Sequence, residues 1–485
     1  MRKIFLAAFA LASVTTVCAS EFKAGFARRD ITPPLGIFMP GYFKQRHAKT
    51  ILDPLQINCV ALNDGKKTAL VMQIDTESLS DYVADKMRDA VVDATGVERD
   101  AILLHASHTH DGGQLTQTEE LSSTSSSKTG RLAEIYSQMA TSRASDAAVE
   151  AIRDLKPAKL SYQRSFARRI SFGRRYLMKD GKVRTNPGTN NPDIVKPAGE
   201  PPDESVQLLR IDREGDLPIC MINFQTHPDV VGGETITADW PGLTRTVFEA
   251  ATLGKSRCIV INGTQGDVNH CNVMPRPGEL NGLKRDFDDV DRGYDHAWHM
   301  ANVIAASALS VWLKCIPLDA GAISYRCDIV KVPAQKAKDT DEKNLEWANT
   351  IWKMHADGKD AEITKKFGWA GMELTTEVAR ACRIRKMATH ADFHDLPIYA
   401  VTIGKSVAFG GFQGEPFNDI GKAIKKNSPF TLTILSCQTN GSRGYFPFSD
   451  AYVGGGYESA TSPFGPTVAH DLITGQLKLL DDLVK

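Results

Sequence analysis

Apolar runs that stop abruptly at histidines or carboxylates constrain this chain more than any other feature. In Ile102-Leu103-Leu104-His105-Ala106-Ser107-His108-Thr109-His110-Asp111-Gly112-Gly113, a short apolar run passes into three histidines and a glycine pair. The apolar part reads as a buried strand. The polar part reads as the loop leaving its carboxyl end, where open α/β sheets place their sites. If the backbone stays extended, His108 and His110 send both rings from the same face. Two imidazoles converging there suit a metal, or one metal ligand beside a general acid/base. The plainer reading of each is a satisfied core or surface histidine.

The pattern recurs along the chain. Thr68 to Ile74 ends in Asp75-Thr76-Glu77, and Pro218 to Phe224 ends in Gln225-Thr226-His227-Pro228. Cys258 to Ile261 leads into Asn262 through Asp267 and His270. Ser406 to Phe409 runs into the glycine-rich strand end Gly410 to Pro416, which holds Glu415, and Phe430 to Leu435 precedes the loop with Tyr445. Helical spacing over Ser80 to Thr95 makes a βαβ unit with the opening strand. Arg131 to Leu155, Asp288 to Trp312 and Thr467 to Leu480 also read as helices. Lys179 to Pro202, rich in Gly, Pro and Asn, reads as a long loop without regular structure. The polar run Leu121 to Gly130 reads as a solvated loop or a lid beside the histidines. Residues 339–379 read as a helical insertion over one face, and no internal repeat is visible. The fold class is α/β: mixed β-sheets flanked by helices, with the site at the carboxyl ends of strands.

Two or three histidines and a carboxylate at such strand ends fit zinc with a position open for water. Zinc lowers the pKa of such a water towards ~7, and a neighbouring histidine can move the proton. Competing chemistries lack their motifs. There is no H-E-x-x-H helix, G-x-S-x-G elbow, G-x-x-x-x-G-K-[ST] loop or G-x-G-x-x-G fingerprint. Glu415 directly follows the glycines Gly410 to Gly414, so that stretch is no phosphate cradle. Charge points away from nucleic acid. The 58 Lys+Arg balance 58 Asp+Glu, and phosphate neutralisation needs clustered basic residues.

Residues 1–20 have a basic start at Arg2-Lys3, a short apolar stretch and small residues near Cys18. This predicts a signal peptide, followed by a mature chain over 21–485 that is periplasmic or secreted. A lipoprotein anchor at Cys18 is the less favoured alternative. No later stretch suits a transmembrane helix. The other eight cysteines form no C-x-x-C pair, which argues against a zinc ribbon or a thioredoxin-type site.

From Ala24 to the end of the chain, the sequence resembles the neutral/alkaline, non-lysosomal ceramidase family. The resemblance is carried by Ala24-Gly-Phe-Ala-Arg-Arg-Asp-Ile-Thr-Pro-Pro34, Asp53-Pro54-Leu55 and His105-Ala-Ser-His-Thr-His110. It continues through Gln225-Thr-His-Pro228, Gly266-Asp267-Val268, Gly414-Glu415-Pro416 and Gly444-Tyr445. It implies a zinc ion held by His108, His227, Glu415 and Tyr445. It also implies a proton-transfer or oxyanion role for His110, an active-site arginine at Arg174 (or its neighbour Arg175), and an aspartate at Asp267. The family's serine in the Gly-Asp-Val-Ser segment is Asn269 here, followed by His270. The family's immunoglobulin-like C-terminal domain has no counterpart in this sequence. The expectation is an exported, ceramidase-like zinc hydrolase that cleaves an N-acyl amide bond in a small-molecule or lipid-like substrate. The alternatives are a zinc hydrolase of a glycan or ester bond, and a non-catalytic secreted zinc-binding protein.

Overall fold

The computed structural model describes residues 21–42, 46–115, 127–276, 284–285, 291–336 and 342–484. The expected signal segment 1–20, most of the polar run at 121–130 and residues 339–341 of the insertion lie outside these. The architecture is α/β, with mixed sheets flanked by helices.

The topology repeats three times, which the residue order did not reveal. In the first unit, β1 (Lys23–Asp30), β2 (Gln56–Asn63) and β3 (Thr68–Ile74) form an antiparallel meander. Helix α1 (Asp81–Thr95) then crosses over to β4 (Ile102–Ala106), parallel to β3, and α2 (Ser127–Arg153) returns across the sheet. The second unit has the same order: β5 (Lys156–Phe166), β6 (Ser205–Arg213), β7 (Ile219–Phe224), α3 (Asp239–Ala251), β8 (Arg257–Asn262) and α4 (Tyr294–Trp312). Here too the meander is antiparallel, and β7 and β8 pair in parallel.

The third unit begins with β9 (Ile323–Pro333). It is interrupted by α5 (Glu342–Ala356), α6 (Asp360–Phe367) and α7 (Gly371–Met387). It resumes with β10 (Phe393–Ile403), β11 (Val407–Phe412), α8 (Asn418–Asn427) and β12 (Leu432–Ser436). Helices α9 (Tyr457–Thr461) and α10 (Val468–Val484) follow. Antiparallel pairing of β1 with β5 joins the first two units into one sheet, and the third unit keeps its own four-stranded sheet.

Alternation along the strands explains the layering. In β10 and β11, Tyr399, Val401, Ile403, Val407 and Phe409 face a core shared by all three units. The intervening Ile398, Ala400, Ala408 and Phe412 face the unit's own helices. The inner face of each sheet thus meets the other units, and the outer face is closed by its own helix pair.

Each unit carries an insertion between its first and second strands. In the first, this segment holds Tyr42 and Arg46. In the second, two short strands, Val183–Thr185 and Ile194–Pro197, form within the stretch expected to be a long loop and pair with Arg175–Met178 just before it. Their antiparallel pairing satisfies backbone groups that a structureless loop would leave to water. In the third, it is the helical insertion, which has a core of its own around Ala348, Ile351, Val378, Ala381 and Ile384. No helix among the described residues is long and apolar enough to cross a membrane. The eight described cysteines are all free.

Candidate metal centre

His105 ties the three units together directly beneath the site. Its Nδ1 donates to the Cys437 carbonyl at 2.8 Å, and its Nε2 accepts from the Asn262 backbone N–H at 2.9 Å. Burial lowers its pKa to about 4, so both ring nitrogens serve a neutral imidazole. The first histidine of the triple is therefore a structural joint. The loops beyond β3, β4, β7, β8, β11 and β12 all leave the same end of the molecule from this joint.

The next two histidines converge, though not by the extended backbone the spacing suggested. The strand stops at Ala106, and His108 has φ 71°, in the left-handed region. That turn brings the His108 and His110 rings to 4.9 Å, edge to face, with the His227 ring 5.0 Å from His108. Ligand-capable atoms of His108, His110 and His227 all lie within 4.8 Å of one another. Glu415 joins them: its Oε2 is 3.1 Å from His227 Nε2 and 3.4 Å from His108 Nε2. Glu415 also lies beside Tyr445, because Glu415–Pro416 pairs in parallel with Tyr445–Phe446. The Tyr445 ring stacks on His227 with centroids 6.4 Å apart.

This donor set fits a divalent metal. The Glu77 carbonyl accepts from His108 Nδ1 at 2.7 Å, and the Gln265 carbonyl from His227 Nδ1 at 2.9 Å. Fixing the proton on Nδ1 leaves each Nε2 lone pair aimed inward, the tautomer that binds metal. His227 Nε2 is buried without a hydrogen-bond partner. Ligands about 2.0–2.1 Å from a tetrahedral zinc lie roughly 3.3 Å apart. The separations here are 3.1, 3.3 and 3.4 Å, the middle one between His108 and His110.

The electrostatics call for positive charge at the same spot. Burial opposes protonation of His108, but Glu415 outweighs it and pushes His108 up to about 9. Burial likewise works against the Glu415 anion, yet His108 and His227 hold it well below the carboxylate range. Burial and the Arg174 guanidinium lower His227, although its ring is the nearer one to the carboxylate. His110 is lowered by burial and by the other two rings. Unlike them, its Nδ1 is buried with no hydrogen-bond partner, so no carbonyl fixes its tautomer. Its backbone is held, with N–H donating to the Pro228 carbonyl at 3.0 Å and the carbonyl gripped by Arg46.

Arg174 reaches the same end. Its guanidinium lies 5.4 Å from the Tyr445 ring centre. Nε pairs with Glu458 Oε1 at 2.6 Å, and Nη2 donates to the Gly266 carbonyl at 2.8 Å. Arg175 approaches the same Glu458 at 3.8 Å, and otherwise lies over the Phe417 ring at 5.2 Å and donates to the Gly455 carbonyl. Glu458, fully buried, also accepts from Thr185 Oγ1 at 2.8 Å, and Tyr457 stands edge-on to Tyr445 at 5.7 Å. Sequence reasoning passed over Glu458, Tyr457 and Gln265.

Other expected residues meet different partners. Asp267 Oδ1 accepts from the Asn418 backbone N–H at 2.7 Å, at the amino end of α8. Burial raises its pKa to about 6, against that hydrogen bond and Arg175. Asn269 is buried, with Nδ2 donating to Asn186 Oδ1 at 3.2 Å and Oδ1 accepting from the Cys271 backbone N–H at 3.0 Å. These hydrogen bonds tie it to neighbouring loops. His270 pairs with Asp229 at 3.2 Å, beside His296 at 5.5 Å between ring centres. Asp75 joins Arg245, Gln73 and the Gln56 backbone N–H.

A cavity of about 810 Å3 separates the helical insertion from the body of the protein. Tyr42, which faces His110 at 5.4 Å, and Gly444, next to Tyr445, lie on the body side. Trp352, Leu374, Val378 and Met387 form much of the opposite wall.

No family model matches this sequence, and no curated protein matches it. Solved structures do. The neutral ceramidase from Pseudomonas aeruginosa matches with a TM-score of 0.69 at 15% identity, covering 96% of this chain and 74% of that one. A ceramidase complexed with C2 gives 0.67 at 15% identity, covering 96% and 76%. The fold is thus neutral ceramidase-like, as the ordered motifs led us to expect.

Proposed function

We propose that this chain is an exported zinc-dependent hydrolase that cleaves an N-acyl amide bond. The observation that carries the reading is the convergence of His108, His227 and Glu415 at metal-ligand separations, with both Nδ1 atoms pinned to backbone carbonyls. His108, His227, Glu415 and Tyr445 would hold the ion. Zinc, when bound, supplies Lewis acidity that polarises a carbonyl and acidifies water.

The chain's own residues supply the rest. His110, whose Nδ1 meets no carbonyl, takes a proton from the attacking water and delivers it to the leaving amine nitrogen. Arg174, its Nε and Nη2 held by Glu458 and Gly266 and its guanidinium beside the Tyr445 hydroxyl, adds positive charge to stabilise the oxyanion. Asn269 is engaged by Asn186 and Cys271 and stands where the related family has a serine, so the attacking oxygen comes from water. The apolar wall under the helical insertion suits an acyl chain, the feature that would separate a lipid-like substrate from a sugar.

Metal analysis and a substrate panel test this reading. About one zinc per chain is expected, lost in His108→Ala and His227→Ala, with hydrolysis of N-acyl sphingosines or simpler N-acyl amines. No zinc in the wild type, with both variants unchanged in metal content, would sink it. Turnover confined to esters or glycans would overturn the bond assignment and leave the metal assignment standing. Zinc without turnover of any class would favour a binding protein.

A further inference from the structure

The loop after β8, Gly263 through Asp267, is tied to the segment that carries Glu415. The Gly266 N–H donates to the Pro416 carbonyl at 2.9 Å. A Cβ on Gly266 would lie 2.4 Å from the Glu415 carbonyl oxygen, so only glycine permits this approach. One residue earlier than Gln265, the Thr264 carbonyl accepts from Asn418 Nδ2 at 2.9 Å. Gln265 is therefore anchored on both sides, and it is fully buried.

Gln265 meets two of the metal-competent side chains at once. Its backbone carbonyl accepts from His227 Nδ1 at 2.9 Å. Its side-chain Nε2 donates to Glu415 Oε2 at 3.3 Å. That oxygen is the one that lies 3.1 Å from His227 Nε2 and 3.4 Å from His108 Nε2. One residue of the second unit thus holds a histidine of its own unit and the carboxylate of the third.

Packing alone does not call for an amide here. Gln265 Oε1 is buried without a hydrogen-bond partner. An unmet buried acceptor costs folding free energy that an apolar side chain of the same length, such as methionine, would not. What the amide adds over methionine is an N–H aimed at an anion. Cys437, whose thiol burial keeps neutral, lies beside the same amide, but a thiol is a weaker acceptor than a carboxylate. A donor on a ligating carboxylate draws some charge from it, which by itself weakens its bond to a cation. Removing such a partner nevertheless costs about 10–100-fold in metal affinity, so orientation is the larger effect.

We propose that Gln265 is a positioning residue of the metal centre, its amide N–H holding the Glu415 carboxylate with Oε2 turned towards the Nε2 atoms of His108 and His227. It acts through Glu415 and touches no substrate. The proposal rests on the zinc reading, because the ion is what the carboxylate is held for.

A double-mutant cycle on the zinc affinity of the full chain, measured at fixed pH by competition with a chromophoric chelator, tests it. Gln265→Met should weaken zinc binding about 10–100-fold where Glu415 is present. In Glu415→Ala the same substitution should matter by less than about twofold, because the partner through which it acts is gone. The backbone carbonyl on His227 survives each of these substitutions, so the change reports the Gln265 side chain alone. Gln265→Asn draws the donor back by one methylene; in the same cycle it should weaken binding as Gln265→Met does, and it decides the matter if Gln265→Met fails to fold. Unchanged zinc affinity, or an equal loss with and without Glu415, would overturn the proposal and leave the zinc reading standing. A wild type that binds no zinc would overturn both.

Discussion

Gly41→Ala should separate the roles of the paired histidines. Gly41 has φ 94°, and a Cβ added there would lie 2.8 Å from His110 Cγ and 2.8 Å from Nδ1. Carbon atoms in contact prefer about 3.5–4.0 Å, so the ring must retreat by roughly 0.7 Å or more. The His110 backbone cannot follow, because its N–H is bonded to Pro228 and its carbonyl to Arg46. The strain therefore falls on the side-chain torsions. Left-handed backbone at alanine costs about 1–2 kcal/mol, and overpacking about 1–3 kcal/mol more. Misplacing a reacting group by about 1 Å can cost roughly 100-fold in rate. Gly36 provides the control: its φ is 87°, and an added Cβ meets nothing within 4 Å. Gly36→Ala should carry the backbone cost and keep full turnover. The assay is hydrolysis of the N-acyl substrate alongside zinc stoichiometry and thermal midpoint for both variants. Expected for Gly41→Ala is a fall of about 100-fold in kcat/KM with zinc retained. Wild-type turnover would refute the positioning argument. Loss of zinc in step with activity would make His110 a ligand.

Three further outcomes follow from the geometry. Glu458→Gln leaves Arg174 and Arg175 buried without their carboxylate and should destabilise the chain by about 3–5 kcal/mol. In a double-mutant cycle with Arg174→Met, measured by denaturation, simple additivity would contradict the pairing. Asp267 has a folded-state pKa of about 6, above its ordinary 3.8, so its contribution to stability is full below about pH 4 and lost as pH rises through about 6. That difference, at about 1.36 kcal/mol per pH unit, is about 3 kcal/mol. The stability advantage of Asp267→Asn over wild type should accordingly grow by that order between pH 4 and 7, and a flat difference in thermal melts would refute it. Leu374→Asp places a charge on the apolar wall of the cavity under the helical insertion and should raise KM for long-chain substrates about tenfold or more, short-chain substrates and zinc content being unaffected.

What was legible in the sequence is what strand chemistry writes locally. A buried strand shows as an apolar run, and candidate site residues show in the polar loop that follows it. His108, His110, His227 and Glu415 could be picked out as candidates on that basis, and the family resemblance of the ordered motifs implied the set His108, His227, Glu415 and Tyr445. A further local signal was available: Phe224-Gln225-Thr226-His227-Pro228 and Phe412-Gln413-Gly414-Glu415-Pro416 share the form Phe-Gln-x-ligand-Pro. They occupy the same place, just past the third strand of the second and third units, and Glu77 stands at that place in the first. With only three identical residues in common, the repeat is carried by topology more than by sequence.

Partnerships across the chain were not legible in this way. Arg174 and Glu458 are 284 residues apart, and no local pattern marks a buried carboxylate whose partner comes from another unit. Nothing in the segment of His105 shows that Cys437 and Asn262 would use both its nitrogens. Asp267 and Asn269 follow a strand end as the metal-facing residues do, yet their side chains hold the amino end of α8 and the neighbouring loops. Position after a strand places a residue at the right end of the molecule. Which way it faces is decided by the carbonyls and amides that the other two units bring there. For the ring in doubt, His110, what distinguishes it from His108 and His227 is a missing carbonyl at Nδ1. That open Nδ1, with Nε2 facing His108 Nε2 at 3.3 Å, is thus a property of the assembled loops.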